Sequence, residues 1–76
     1  MTQAELRQEI KTIQSIFRTP HSKIAELCNE TGMFQTMYRS NISLFMCHED
    51  YVLNKNQYNA LVWFVESRKE LAKKYL

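Results

Sequence analysis

The stretch Leu27-Cys28-Asn29-Glu30-Thr31-Gly32-Met33 decides how this chain is read. An apolar residue, a small one, three polar ones, glycine and a second apolar residue mark the end of one helix and a turn toward another. Gly32 is the sole glycine, and helices commonly end on a left-handed C′ residue that glycine adopts without a Cβ clash. Upstream stands the sole proline, Pro20. It disfavours helix at Thr19 but fits the first turn of a helix that follows. A helix is therefore expected from about Pro20 or His21 through Glu30, burying Ile24, Leu27 and Cys28.

Working outward, residues from about Thr36 or Tyr38 to Cys47 read as a further helix, with Ile42, Phe45 and Met46 inward at i, i+3 and i+4. Toward the N-terminus, Thr2-x-x-Glu5 is a capping box. It opens an apolar stripe of Leu6, Ile10, Ile13 and Phe17, with Ile16 beside it, that Arg18-Thr19-Pro20 stops. Toward the C-terminus, the polar link His48-Glu49-Asp50 leads through Tyr51, Val52 and Leu53 to Asn54. Asn54 caps the last helix with Gln57 in the capping-box position. That helix runs some ~20 residues, or ~30 Å, to Tyr75. No repeat, linker or alternating strand pattern interrupts the series. The expected architecture is all-α: one compact four-helix domain over residues 1–76 with a long C-terminal helix.

Composition supports this reading. The 76 residues are 45% apolar and 24% charged, as in ordinary globular proteins. One glycine and one proline leave little material for the turns of a β-sandwich or barrel. A chain this short buries only ~60% of its unfolded surface, so its core is thin and a partner is a natural supplement. Residues 1–65 carry six Lys/Arg against six Asp/Glu, so the net +2 resides in the last eleven residues.

No apolar leader opens the sequence, and the longest apolar run, Ala60–Val65, is far short of a membrane span. A cytoplasmic protein with reduced thiols is expected. His21 and His48 are the only histidines, and Cys47-His48 are chain neighbours that do not easily face one tetrahedral centre. No metal and no cofactor are expected. Without a Gly-rich phosphate loop or a spaced nucleophile–base pair, catalysis is not expected either.

The two central helices carry the functional signal. Cys28 and Gly32 look like the small residue and the turn glycine of the first half of a helix-turn-helix. Tyr38-Arg39-Ser40-Asn41-Ile42-Ser43-Leu44-Phe45-Met46 resembles the second half: a polar cluster, a β-branched residue, Ser, then an apolar pair. Val52-Leu53-Asn54 with Gln57, Tyr58 and Leu61 resembles the capped helix that comes next. Over roughly residues 20–66 the chain is thus similar to the lambda-repressor-like (Cro/C1-type) family, with the motif at about 20–47. Phe34-Gln35-Thr36-Met37 are extra and lengthen the turn or add a helical turn.

The resemblance implies a small sequence-specific DNA-binding regulator, a dimeric repressor of phage or bacterial type on a double-stranded operator. Arg39, Ser40, Asn41 and Ser43 would face base edges, where Arg suits guanine and Asn suits adenine. Arg18, Ser22 and Lys23 would meet phosphates beside the N-terminus of the preceding helix. Residues 34–53 hold Arg39 against Glu49 and Asp50, so base contacts and dimer symmetry would have to supply the affinity. In the last helix Leu61 to Val65 are apolar all round, which suggests a dimer or partner interface at Trp63, Phe64, Tyr75 and Leu76. Met33, Phe34 and Met37 are read as core. The alternative is a small helical protein-binding module, such as an antirepressor or a phage inhibitor of a host protein, that uses the C-terminal helix.

Overall fold

The computed structural model describes residues 1–75. They form α1 (Gln3–Phe17), α2 (His21–Glu30), α3 (Arg39–Cys47) and α4 (Lys55–Tyr75), without a strand among the described residues. The long α4 is the hub. Both α1 and α2 pack on it, and α3 packs on α2, inside an envelope of 33 × 26 × 21 Å.

Local chemistry sets the ends of the helices. Thr2 Oγ1 accepts from the Glu5 N–H at 3.1 Å, and Glu5 answers by accepting from the Thr2 N–H at 3.0 Å. These two bonds hold the Glu5 carboxyl below its ordinary pKa. Asn54 and Gln57 form the same reciprocal pair at the start of α4, at 2.8 and 3.1 Å. Gly32 takes φ +70° just past α2, the left-handed geometry expected of it. Arg18 takes φ +53° at the C-cap of α1, a conformation that costs a non-glycine residue about 1–2 kcal/mol.

The core draws one stripe from each helix: Leu6, Ile10 and Ile13; Ile24, Ala25 and Cys28; Ile42 and Phe45; Ala60, Leu61, Phe64 and Val65. Ala25, more than Leu27, is the buried residue beside Ile24; Leu27 is half-buried at the edge. Phe17 is also an edge residue, with the Arg68 guanidinium 5.8 Å from its ring centre.

Residues 31–38, between α2 and α3, contain no helix. Phe34 to Met37 therefore belong to the connection and add no helical turn, and α3 starts at Arg39 with Tyr38 as its N-cap. This long connection is tied down. The Asn29 side chain makes two bonds to one backbone residue: its Nδ2 donates to the Met37 carbonyl at 2.9 Å and its Oδ1 accepts from the Met37 N–H at 2.8 Å. Met37 is thereby held in the core, and Phe34 tilts against Trp63 with ring centres 6.2 Å apart. Gln3 repeats the device on Leu53, at 3.2 and 2.9 Å, and fastens the approach to α4 onto α1. Met33, expected in the core, is 63% exposed. Its N–H bonds to Thr31 Oγ1 at 3.1 Å immediately after the left-handed glycine, a turn that carries the side chain outward.

Candidate nucleic-acid interface

Three contacts fix α3. At its start, Asn41 Oδ1 accepts from the Tyr38 N–H at 3.0 Å. At mid-helix, Ser43 Oγ and His21 Nδ1 share a hydrogen bond of 2.8 Å that joins α3 to the first residue of α2. At its end, Arg7 reaches across from α1. Its Nε donates to the Phe45 carbonyl at 2.8 Å and its guanidinium lies 4.5 Å from the Phe45 ring centre. A second donor points at the His48 carbonyl at 3.5 Å. A cation at a helix C-terminus satisfies orphan carbonyls and complements the dipole.

With Ile42 and Phe45 inward, the 100° step of a helix puts Ser40 and Cys47 on the outermost line of α3, with Leu44 and Ser43 ~50° to either side. Ser40, Leu44 and Cys47 are exposed. Arg39 and Ser43 flank that line toward α2. They share a cleft of about 360 Å³ with Gln14, Pro20, His21 and Ser22. No side chain caps α2; a helix start leaves backbone N–H groups without intrahelical partners, and its first residues, His21 and Ser22, line this cleft with Arg39.

The four expected base-facing residues thus divide. Arg39 and Ser40 are exposed, and neither makes an ion pair among the described residues. Asn41 and Ser43 are half-buried and each makes one hydrogen bond inside the chain, one at the start of its own helix and the other to His21. Leu44 and Cys47 are exposed beside Ser40; the helical period from Ser40 marks both, and their weak polarity hid them. Arg18, Ser22 and Lys23 are exposed around the start of α2. Lys23 lies 3.8 Å from Glu26, a solvent-exposed pair worth ~0–1 kcal/mol and easily exchanged for another anion.

The expected interface on α4 changes more. Phe64 is 0% exposed and is corrected from interface to core. The cause is that α1 and α2 cover α4 from two sides, burying Leu61, Phe64 and Val65 within one chain. Trp63 is half-buried and lines a groove of about 460 Å³ with Glu66, Ser67, Lys69, Glu70 and Lys73. Leu76 and the Tyr75 side chain lie outside the described residues.

Both cysteines are free thiols, Cys28 buried and Cys47 exposed. Burial pushes the Cys28 thiol up to about 11, and it donates to the Ala60 carbonyl across a 3.6 Å contact. Among the described residues, no three or more His, Cys, Asp or Glu side chains converge on a place that could hold a metal ion. No described helix is long and apolar enough to cross a membrane. No protein-family model, no curated protein and no solved structure matches this chain.

Proposed function

We propose that this chain is a sequence-specific DNA-binding regulator of the phage or bacterial repressor type, acting in the cytoplasm as a dimer. One observation carries the reading: α3 is pinned at both ends and at its middle, yet its outer face is exposed beside the uncapped start of α2 and Arg39, which makes no ion pair among the described residues. A rigid helix with an open face fits a B-DNA major groove ~12 Å wide. The N–H groups of α2 with Arg18, Ser22 and Lys23 suit the flanking phosphates. Lambda-repressor-like proteins, which the sequence resembles, dock in this manner.

Charge makes the proposal quantitative. Arg18, Lys23 and Arg39 are the cations on this face, and each phosphate neutralised contributes about −0.9 to the slope of log affinity against log salt. The slope should be no steeper than about −3 per subunit. Nonspecific binding is then weak, and symmetry has to multiply the specific contacts. A second copy docking in the Trp63 groove would do so, with half-sites ~34 Å apart. Selection from a random duplex pool at two salt concentrations tests both parts. The expected result is a two-fold symmetric sequence with a shallow salt slope. Absence of enrichment at low salt contradicts the proposal.

A second reading is favoured by one further observation. Met33, Tyr38 and Val52 are 63%, 64% and 73% exposed, large side chains that the fold leaves on the surface. A protein-binding module, such as an antirepressor or a phage inhibitor of a host protein, would use such residues or the outer side of α4. It predicts no enriched duplex at any salt concentration.

A further inference from the structure

The outer face of α3 is chemically sparse. Ser40 offers one hydroxyl, Cys47 a weakly polar thiol, and Leu44 an isobutyl group that is 41% exposed. Leu44 is not among the apolar side chains packed on the core. Asn41 and Ser43 are half-buried and each makes one hydrogen bond inside the chain, so Arg39 and Ser40 are the exposed polar side chains of this helix. Beyond them a helix with this face discriminates bases through apolar contact, and the major groove offers one apolar feature that differs among bases, the C5-methyl of thymine.

We infer that Leu44 is a specificity-determining residue that reads a thymine methyl. The inference rests on the DNA-binding reading above. Arg39 and Leu44 are five residues apart, ~7.5 Å along the helix axis and ~140° around it, so they flank the outer line of α3 from opposite sides. The recognised half-site therefore carries a thymine whose methyl lies against Leu44, separate from any guanine gripped by Arg39 through O6 and N7. Cys47, one turn further on, extends the same apolar line toward the next base. Ser40 hydrogen-bonds either purine or pyrimidine partners and adds little discrimination.

The test uses the duplex enriched by the wild-type protein and the same duplex with deoxyuridine replacing one thymine of the half-site at a time. Uracil pairs identically and lacks only the methyl. Burying one such group is worth about fourfold in affinity, so at one position the wild type should bind the uracil duplex about fourfold more weakly. Leu44→Ala should bind that duplex and the thymine duplex equally, with unchanged helicity. Because the duplexes are first compared on the wild-type protein, the result does not depend on how the variant folds. An enriched duplex that the wild type binds equally with thymine or uracil at every position overturns the role of Leu44 and leaves the DNA reading standing. Failure to enrich any duplex overturns both.

Discussion

Phe64→Ala is expected to abolish most of the cooperative fold. The ring is fully buried at the meeting of α1, α2 and α4, and removing a buried phenylalanine side chain costs about 3–5 kcal/mol through lost burial and the cavity left behind. A chain of 76 residues has roughly 4–11 kcal/mol in all. The substitution consumes a large part of that, and urea unfolding followed by helical ellipticity should shift far toward zero denaturant. Trp63→Ala, one residue away but half-buried, should shift the midpoint much less. Equal shifts for the two would mean that α4 is not covered as described, and would return Phe64 to the surface of a subunit interface.

Arg7→Ala should have the next largest effect, and it links the fold to the site. Two of the three contacts that fix α3 form within the helix or with α2; Arg7 supplies the third from α1. Its charge-assisted bond to Phe45 is worth about 1.5–3 kcal/mol, and the cation over the Phe45 ring adds about 0.5–1 kcal/mol. A total loss of about 2–4 kcal/mol is expected, concentrated at the end of α3. Amide hydrogens of residues 45–48 should then exchange faster than those of α1 or α4. Arg7→Lys should recover only part of the loss, because an ammonium carries the charge without the planar fork that bonds one carbonyl and stacks on the ring. Uniform loss of protection across all four helices would show that Arg7 supports the domain as a whole and does not pin α3 in particular.

What the sequence made legible follows from the range of each signal. Thr2 with Glu5, Asn54 with Gln57, and the bracket of Pro20 and Gly32 act over a few residues, so the starts of α1, α2 and α4 and the end of α2 could be placed from neighbours alone, whereas the start of α3 stayed open between Thr36 and Tyr38. The clamps could not be placed this way. Asn29 on Met37, Arg7 on Phe45 and Gln3 on Leu53 span 8, 38 and 50 residues, and no periodicity marks an amide or a guanidinium that will meet a distant backbone group. The run Leu61–Val65 had no polar side to orient it, so burial of Phe64 and partial exposure of Trp63 required knowing where α1 and α2 lie. At the candidate interface, the family resemblance put Asn41 and Ser43 among the expected base readers. Their hydrogen bonds to Tyr38 and His21 are competing uses that become visible only when the helices meet.

Retention of the enriched duplex by wild-type protein and by Arg39→Ala, in low salt, bears most directly on the proposal that α3 reads DNA. Arg39 is exposed and makes no ion pair among the described residues, so its removal should leave helicity and unfolding midpoint unchanged. One bidentate arginine–guanine contact is worth about 1–3 kcal/mol. The account predicts retention weakened by roughly 5- to 150-fold, with the preference for guanine lost at one position of each half-site. A variant that holds the same duplex as tightly as the wild type, with the same base preferences, would contradict it.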